Sequence, residues 1–498
     1  MPHTVTWGSC LASGSGGGLP RSPKVDQMDE YELIIIGQGS AAFAAAIKAD
    51  ELGVRTAMVG GNVTGGTVLG GTCVNVGCVP SKYLLAVGRM ASQARRNPFR
   101  ALRYGGLEVD FSEAIRGKDE VVKRLREAKY RKVLEKLEKV DYIPGLATFL
   151  SPSEVKVGRR KLRGRKFLIA TGARARVPPI KGIDEAGYLT NEEAMSLGSL
   201  PSSMIVVGGR AQGLEFAQMF AHFGTEVTLL QRSDRILPDM EPEVSHVLQK
   251  RLREDGVEVH TNVSIERVSS RAGRKVVQAV VGGRERSFEA EQLLLAVGRR
   301  PNVEVLKPEK AGVRLREGGF IQVDEEMKTS SPNIWAAGDV TGGPELETLA
   351  AKEGATAVHN AFNDEKRKIS LLEVPRAVFT YPEVASVGLT DSQAVERGIR
   401  CACTVLPLEF VPKAQILMET EGLVKMVVER STKRVLGVHM LAPGAADLIH
   451  EGVLAVKFGL TVDDLIDTVH VFPTLGEAIK LAAQSFYRDV SEMSCCTE

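Results

Sequence analysis

One arrangement of apolar and polar positions occurs twice along the chain. Its first copy is an aliphatic run over residues 31–36, which predicts a buried β-strand, followed by the turn segment 37–42 and an alanine-rich helix. Gly37 and Gly39 let the backbone turn tightly and approach a phosphate group, and the small Ala42 keeps the helix close to the strand. Because the helix N-terminus then faces a pyrophosphate, the segment predicts a dinucleotide-binding fold.

The second copy begins about 170 residues later. A strand pattern over 204–207 leads into the turn segment 208–213, a helix and a further strand. Arg210 stands where a middle glycine is expected, which weakens the match without removing it. The last strand ends at Arg232, with Arg235 close behind. Arginines at this point favour the 2′-phosphate of NADP(H) over NAD, and ordinary surface arginines are the alternative.

The first copy departs from the usual pattern at one point. Its second strand, over 54–59, ends in Gly60 and Gly61, where an acidic residue normally binds the ribose hydroxyls. We therefore expect the backbone of the glycine-rich segment 60–71 to hold that ribose.

Three more strand patterns run into glycine-containing turns. Two of them end at Thr171-Gly172 and at Gly298, and they mark points where a chain would pass between two dinucleotide domains. The third, over 333–337, leads into Gly338-Asp339.

Composition and charge narrow the classes of function. The chain has 498 residues, 25% of them charged, and a formal net charge of +2, which argues against a nucleic-acid or membrane-surface partner attracted by charge. The apolar stretch 33–47 is interrupted by glycines and is too short for membrane insertion. Seven cysteines are few and odd in number, so we expect the reducing cytoplasm. Residues 1–29 predict a flexible tail, and Cys10 within it has no assigned role.

A cysteine pair after the first copy carries the clearest chemistry. Cys73 and Cys78 are separated by four residues at the predicted start of a helix, and Lys82 follows one turn later. Such a pair can form a redox-active disulfide, and the positive end of a helix lowers the thiol pKa. A zinc site is the usual alternative, but the nearby sequence lacks a second pair or histidines at ligand spacing.

In their order along the chain, these motifs resemble the pyridine nucleotide-disulfide oxidoreductases from residue 30 onward. The resemblance implies an α/β protein with two Rossmann-like dinucleotide-binding domains, for FAD and NADPH, and a C-terminal α+β dimerisation domain. It places the FAD domain at 30–175 and 297–365, the NADPH domain at 176–296 and the dimerisation domain at 366–498. It also implies a homodimer.

The same resemblance implies roles for single residues. Cys78 is the thiolate next to the flavin, Cys73 is the sulfur that meets the substrate, and Lys82 pairs with Glu215 beside the flavin ring. Asp339 binds the flavin ribitol. The other nucleotide-binding positions are turn residues and strand ends: Gly37, Gly39, Ser40, Ala42, Gly71, Thr72, Thr171, Gly172 and Gly298, with Gly208, Gly213, Arg232 and Arg235 in the second copy.

The C-terminal third departs from the disulfide reductases of this family. Those enzymes carry a histidine directly before a proline, and the histidine transfers protons to the leaving thiol. Here Phe472 precedes Pro473, and we expect His470, two residues earlier, to be structural. A reduction of organic disulfides would therefore lack its acid–base catalyst, whereas a substrate that only receives electrons needs none.

The chain ends with two adjacent cysteines, Cys495 and Cys496. On a short mobile tip, two thiolates form a good clamp for a soft, thiophilic metal ion. Together with the missing histidine, this ending resembles the mercuric reductase branch of the family, in which the tail of one subunit delivers Hg(II) to the inner cysteine pair of the other. Tyr130 matches one of two tyrosines common near the metal in that branch, and Thr474 stands in place of the second.

Three further expectations concern the C-terminal domain. The runs 423–428 and 435–439 flank a turn and predict a β-hairpin. Apolar residues at near-helical spacing over 479–493 predict an amphipathic helix nearly to the end of the chain. Cys401 and Cys403 lie on a predicted strand, and we expect both to be buried thiols, with a metal-binding role as the alternative.

The resulting hypothesis is a cytoplasmic mercuric reductase that uses NADPH, FAD and the inner dithiol to reduce Hg(II) to Hg(0). Its metal ligands are Cys73, Cys78, Cys495 and Cys496, its active site is shared between subunits, and small thiols carry Hg(II) to it. One alternative is a dihydrolipoamide dehydrogenase or glutathione-type disulfide reductase. Others are a metal-sequestering thiol protein and an enzyme whose terminal cysteines relay electrons to another protein.

Overall fold

The computed structural model describes residues 29–61, 68–103 and 106–494. The predicted tail, the segment 62–67 of the glycine-rich stretch, and the cysteines Cys10, Cys495 and Cys496 lie outside the described residues.

The strands of the described residues are short and are spread over the whole chain. In chain order they are β1 (Asp29–Ile36), β2 (Thr56–Gly60), β3 (Val140–Pro144), β4 (Ala147–Ser151), β5 (Glu154–Val157), β6 (Arg160–Ile169), β7 (Ala173–Ala175), β8 (Ser203–Val207), β9 (Glu226–Leu230), β10 (Val257–His260), β11 (Val263–Arg271), β12 (Arg274–Val281), β13 (Arg284–Ala290), β14 (Gln292–Leu295), β15 (Arg299–Pro301), β16 (Ile334–Ala336), β17 (Arg376–Val378), β18 (Glu383–Gly388), β19 (Cys401–Pro407), β20 (Leu423–Glu429) and β21 (Val435–Ala442).

The helices lie between groups of these strands. They are α1 (Ser40–Glu51), α2 (Gly71–Val76), α3 (Cys78–Arg95), α4 (Phe111–Arg126), α5 (Lys132–Leu134), α6 (Ile183–Ala186), α7 (Asn191–Ala194), α8 (Ala211–Phe223), α9 (Pro242–Glu254), α10 (Glu347–Phe362), α11 (Asp391–Glu396), α12 (Pro412–Leu417), α13 (Ala445–Phe458), α14 (Val462–Asp467) and α15 (Glu477–Gln484). A π-helical turn, Glu127–Arg131, joins α4 to α5.

The first copy of the strand–turn–helix pattern lies in a seven-stranded sheet. Its strand order is β3-β2-β1-β6-β5-β4, and β16 pairs with the C-terminal part of β6. Strands β1, β2, β3, β6 and β16 are parallel, as expected for a dinucleotide fold with helices on its faces. The alanines of α1 and Gly354 of α10 let these two helices pack very closely. A Cβ atom on Gly354 would lie 2.1 Å from the carbonyl oxygen of Ala41, so a larger residue there would push the helices apart.

The second copy forms a separate parallel sheet with the order β10-β9-β8-β14, and β11, β12 and β13 form an antiparallel sheet beside it. The chain leaves the first sheet through β7 and returns through β15. These two strands pair antiparallel, with Ala173 opposite Pro301. The two predicted crossing points, after Gly172 and Gly298, therefore lie side by side.

The C-terminal part is an antiparallel sheet with the order β17-β18-β21-β20-β19. The predicted hairpin is confirmed, because β20 and β21 pair antiparallel from Leu423 opposite Leu441. Two parallel sheets of the dinucleotide type and a C-terminal α+β unit match the predicted fold class.

The predicted C-terminal helix is too long. Helix α15 ends at Gln484, and Ile479 and Ala482 on its inner face are fully buried. Beyond it the backbone forms tighter turns, in which the Asp489 side chain accepts a hydrogen bond from the amide of Ser491. This local bond competes with helix continuation, which is why apolar spacing alone overestimated the helix.

The prediction of buried thiols at Cys401 and Cys403 is wrong. Cys403 is exposed and Cys401 is partly exposed. Both lie on β19, which is an edge strand of its sheet in the described residues. Strand alternation correctly places both cysteines on one face of β19. It does not predict how much of that face other parts of the protein cover at the edge of the sheet.

A buried lysine connects this sheet to the segment before α9. The Lys425 side chain is 2% exposed, and its ammonium group lies 2.8 Å from Glu241, 3.0 Å from Glu243 and 2.9 Å from Asp391. The Glu241 carboxylate is fully buried. Each charge therefore depends on the other for compensation, because an isolated buried ion is very unfavourable.

We expect Lys425→Met to destabilise the protein by roughly 3–5 kcal/mol, because Glu241 is then buried without its cation. Thermal unfolding followed by circular dichroism measures the change. The double replacement Lys425→Met with Glu241→Gln should recover much of the loss, and Lys433→Met, at a half-exposed surface lysine, is the matched control. An unfolding midpoint equal to that of the unchanged protein would contradict the role of this cluster.

Candidate active site

A cleft of about 980 Å³ lies where the two parallel sheets and the C-terminal sheet meet. It brings together most of the predicted site residues. Those that line it are Gly37, Gly39, Ser40, Gly71, Thr72, Cys73, Cys78, Lys82, Thr171, Gly172, Glu215, Gly298 and Asp339. The remaining predicted residues of the described chain are Ala42, Tyr130, Gly208, Gly213, Arg232 and Arg235, and they are outside its lining.

The two inner cysteines occupy two different helices rather than the start of one. Cys73 lies in the short helix α2, and Cys78 is the first residue of the 18-residue helix α3. Gly77 separates the helices with a non-helical backbone (φ −127°, ψ −114°). The bend brings the two thiols into hydrogen-bonding contact, and both are free thiols in the structure.

The two thiols differ strongly in acidity. The hydrogen bond from Cys73, aided by the positive charge of Lys82, lowers the pKa of Cys78 to about 7 against the opposing effect of burial. The same hydrogen bond, together with burial, raises the pKa of Cys73 well above its usual range. Near neutral pH, Cys78 is therefore the cysteine of the pair that ionises, and Cys73 stays a thiol that can donate to it.

One carboxylate fixes the lysine beside this pair. Lys82 Nζ lies 2.7 Å from Oε2 of Glu215 on α8, whose side chain is 6% exposed. The other oxygen, Oε1, accepts a hydrogen bond of 2.9 Å from the amide of Phe379, just after β17. The ring of Phe379 also lies against the ammonium group, 4.5 Å from Nζ to the ring centre.

Tyr130 lies in the π-helical turn, next to the same end of the cleft. Its ring packs edge-on against Phe43, with 4.9 Å between ring centres, and its hydroxyl is hydrogen-bonded to Ser40. Burial raises the pKa of Tyr130, so the group is a neutral phenol near the two thiols.

The turn before α1 has the shape of a cradle for a dinucleotide. A Cβ atom on Gly37 would lie 2.1 Å from the carbonyl oxygen of Ala170, and a Cβ on Gly71 would lie 2.7 Å from Cα of Gly39. Helix α1 has no side-chain cap, so its first amides are available to an anion. The buried hydroxyl of Thr171 has no hydrogen-bond partner among the described residues.

Asp339 follows β16 at the other side of this cradle. Burial raises the pKa of its carboxyl group against the effect of Arg299, whose Nε lies 3.7 Å away and has no hydrogen-bond partner in the part of the chain that the structure describes. A partly buried carboxylate and a buried guanidinium nitrogen beside the same cleft are suited to a polar ligand.

The second dinucleotide turn is equally tight. A Cβ atom on Gly213 would lie 1.8 Å from the carbonyl oxygen of Gly208. Arg210, in the place of a middle glycine, has an ordinary extended backbone (φ −100°, ψ −177°) and forms an ion pair of 2.8 Å with Asp239. Arg232, after β9, is exposed, and Arg235 donates a hydrogen bond of 2.8 Å to the carbonyl of Pro238.

His470 has no free ring nitrogen. Nδ1 lies 2.9 Å from the carbonyl oxygen of Thr468, and Nε2 lies 3.0 Å from the carboxylate of Glu451. Both ring nitrogens therefore contact acceptor oxygens, and the histidine connects the segment at Thr468 to Glu451 of α13. Phe472 is 53% exposed and carries no titratable group.

Three residues that contact the site were missed by the sequence analysis. Glu347, the first residue of α10, lies close enough to both inner cysteines to raise their pKa values. The amide of Phe379 holds Glu215. The guanidinium group of Arg299 lies near Asp339. Only Arg299 had a local signal, because it follows the predicted glycine turn at Gly298, whereas the other two come from distant parts of the chain.

Comparisons with known proteins identify the class to which this architecture belongs. The family model "Pyridine nucleotide-disulphide oxidoreductase" matches residues 31–354, and the model of the dimerisation domain of that family matches residues 374–483. The chain belongs to the pyridine nucleotide-disulphide oxidoreductases. The second match also indicates a homodimer.

Individual relatives narrow the similarity within the family. The chain is 42% identical to a mercuric reductase of Staphylococcus aureus over 467 residues, which cover 94% of this chain and 84% of the relative. It is 41% identical to a mercuric reductase of Streptomyces lividans over 477 residues, covering 94% of this chain and 98% of the relative. Among solved structures, the Cu(II) complex of the flavoprotein disulfide reductase RclA from Escherichia coli matches with a TM-score of 0.82 and 31% identity, covering 93% of this chain and all of that one.

The family and its flavoprotein neighbours imply FAD and a nicotinamide nucleotide as cofactors. The first cradle fits FAD, because its glycine turn, the start of helix α1, the Thr171 hydroxyl and the partly buried Asp339 carboxylate all line one cleft. In the described residues that hydroxyl has no hydrogen-bond partner. No helix in the described residues is both long and apolar enough to cross a lipid bilayer.

The acidity of the dithiol can be measured directly. We expect the alkylation rate of Cys78 by iodoacetamide, in the reduced protein, to rise about tenfold per pH unit up to a midpoint near 7 and then to level off, because only the thiolate reacts. Lys82→Met removes a nearby cation and should shift the midpoint to higher pH. Cys78→Ser identifies the reacting residue by loss of the signal. A midpoint unchanged in Lys82→Met would show that this charge does not act on the thiol.

Proposed function

We propose that the protein is a mercuric reductase, which catalyses the two-electron reduction of Hg(II) to Hg(0) at the expense of NADPH. The balanced reaction is NADPH + Hg²⁺ → NADP⁺ + H⁺ + Hg(0). Bound FAD supplies the two-electron connection between the nicotinamide and the dithiol.

The observation that carries the proposal is a dithiol site whose expected proton donor is replaced. Cys73 and Cys78 lie beside Lys82 and Glu215, as a two-electron dithiol site requires, but Phe472 stands where a disulfide reductase needs histidine. His470 does not substitute for it, since both of its ring nitrogens are engaged. A metal cation can accept two electrons without a proton donor. In addition, relatives named mercuric reductase match most of the chain.

Each residue of the site has a defined task in this proposal. The Cys78 thiolate would bind Hg(II) first, and Cys73 would bind it as the Cys73 proton passes to the departing thiolate ligand. Each exchange replaces one sulfur ligand by another, so that the ion is not released as a free cation. Lys82, held by Glu215, favours negative charge on the adjacent flavin ring. Tyr130 lies near the bound metal with a neutral hydroxyl.

The cofactor sites follow the two strand–turn–helix copies. We assign the FAD domain to 30–175 and 297–365, the NADPH domain to 176–296 and the dimerisation domain to 366–498. Gly37, Gly39, Ser40 and Ala42, with Gly71, Thr72, Thr171, Gly172, Gly298 and Asp339, serve FAD, and Gly208, Gly213, Arg232 and Arg235 serve NADPH. The FAD ribose, which lacks an acidic partner after β2, is held by backbone groups of the glycine-rich segment 60–71.

The delivery of Hg(II) involves the partner subunit in the homodimer. Small cytoplasmic thiols bring Hg(II) to Cys495 and Cys496 at the end of one chain, and these transfer it to Cys73 and Cys78 of the other. The pair at the chain end lies outside the described residues, so its place in this sequence of exchanges is supported by chemistry and by resemblance alone.

The decisive measurement is Hg(II)-dependent oxidation of NADPH together with the release of mercury vapour. In excess small thiol, we expect Cys495→Ala with Cys496→Ala to lower kcat/KM for Hg(II) on the order of 100-fold, because substrate delivery to the dithiol is lost. Cys10→Ala is the matched control and should retain full activity. Turnover of oxidised glutathione or lipoamide without mercury vapour would favour a disulfide reductase, and stoichiometric Hg(II) binding without NADPH oxidation would favour a sequestering protein.

The choice of nicotinamide nucleotide can be tested at the exposed arginine after β9. We expect Arg232→Ala to raise the KM for NADPH roughly 10-fold or more and to leave the KM for NADH unchanged, because a charge-assisted hydrogen bond to the 2′-phosphate is worth about 1.5–3 kcal/mol. Arg271→Ala, at an exposed arginine at the end of β11, is the matched control. Equal effects on both nucleotides would contradict a contact with the 2′-phosphate.

A further inference from the structure

A second pair of cysteines lies on the edge strand of the C-terminal sheet, outside the cleft. On β19, the residues that alternate with these cysteines face the interior: Leu406 is fully buried, and the Thr404 hydroxyl donates a hydrogen bond of 3.0 Å to the carbonyl of Ala482 on α15. Cys401 and Cys403 therefore both project from the opposite face of the strand.

The two thiols are close neighbours. The two side chains are two residues apart on one face of β19, and burial together with the neighbouring Cys401 raises the pKa of Cys403 to about 12. The Cys401 sulfur lies 3.9 Å from the carbonyl oxygen of Asp391. Cys403 is exposed, and β19 pairs only with β20 in the described residues, so a small ligand can approach the sulfurs from the open edge.

Charged groups of both signs lie next to this pair. On the neighbouring strand, Lys425 is surrounded by the carboxylates of Glu241, Glu243 and Asp391, so three negative groups face one ammonium group. Lys425 lies on the face of the sheet from which the two thiols project, since it is opposite Val405 in the strand register. Its positive charge acts on Cys403 more strongly than the negative charge of Asp391 does, and it favours the thiolate form that a soft cation binds.

The number of donors narrows the class of ion. In the described residues, no group of three or more histidine, cysteine, aspartate or glutamate side chains is arranged to hold a metal ion. The pair thus does not provide the four ligands that a structural zinc site uses. Two sulfur donors alone suit a soft cation that accepts two-coordinate binding.

We propose that Cys401 and Cys403 form a second binding site for a soft, two-coordinate cation of the Hg(II) or Cu(I) type, separate from the cleft. On binding, each sulfur loses its proton to solvent and forms one bond to the ion, and no electron is transferred. The site goes beyond the proposed reduction, because it needs neither NADPH nor the inner dithiol.

The test counts metal retained by the full-length flavoprotein in the absence of NADPH. The protein is reduced, freed of reductant without oxygen, mixed with mercuric chloride in excess cysteine, desalted and analysed for mercury per chain. The competing cysteine removes Hg(II) held by a single protein sulfur, whereas a two-sulfur chelate survives. We expect Cys401→Ser and Cys403→Ser each to retain about one equivalent less than the unchanged protein, and Cys10→Ser to retain the same amount.

Two control measurements keep the result specific. Flavin absorbance and Hg(II)-dependent NADPH oxidation of both variants should stay within about twofold of the values of the unchanged protein, since neither residue belongs to the cleft.

Equal mercury retention in all proteins would overturn the proposal, and so would a thiol count showing that Cys401 and Cys403 remain joined as a disulfide after reduction. A loss of retained mercury in only one of the two single variants would also overturn it, because both sulfurs are needed. A failure of turnover alone would concern the proposed reductase activity and not this site.

Discussion

The carboxylate of Glu215 joins three distant parts of the chain at the point where the chemistry occurs. One oxygen holds Lys82 of α3, the other accepts the amide of Phe379 after β17, and the group itself belongs to α8 of the second dinucleotide fold. Because its side chain is 6% exposed, its charge is unfavourable unless both partners are present. The ion pair therefore fixes α3 relative to α8, and with α3 it fixes Cys78 at the N-terminus of that helix.

This arrangement separates electron transfer from proton transfer. Lys82 is a fixed positive charge, and the two cysteines share one hydrogen bond, but Phe472, directly before Pro473, cannot donate a proton to a leaving thiolate. The nearest histidine in sequence, His470, is held by Thr468 and Glu451. The site thus suits a substrate whose reduction needs two electrons and two exchangeable sulfur ligands, which is the requirement of a soft metal cation.

The sequence predicted those features that depend on neighbouring residues. The strands, the glycine turns, the crossing points at Gly172 and Gly298 and the hairpin of the last domain are local, because they follow from alternation and from backbone conformations that glycine favours. Features that depend on tertiary contacts were missed or wrong. The amide of Phe379 and the carboxylate of Glu347 reach the site through folding, and the exposure of Cys403 depends on β19 being an edge strand.

The acidity of Cys78 connects the electrostatics of the site to ligand exchange. A thiol attacks best when its pKa lies near the ambient pH, because a lower pKa gives a weaker nucleophile and a higher one leaves too little thiolate. The Cys73 hydrogen bond and Lys82 lower the pKa, whereas burial, Glu215 and Glu347 raise it, and the balance is a value of about 7. Glu215 thus has two opposing effects on the thiol, since it holds the lysine that stabilises the thiolate and adds a negative charge that disfavours it. The resulting dithiol can accept an ion from one sulfur ligand and exchange it with another at neutral pH, without holding either thiol permanently ionised.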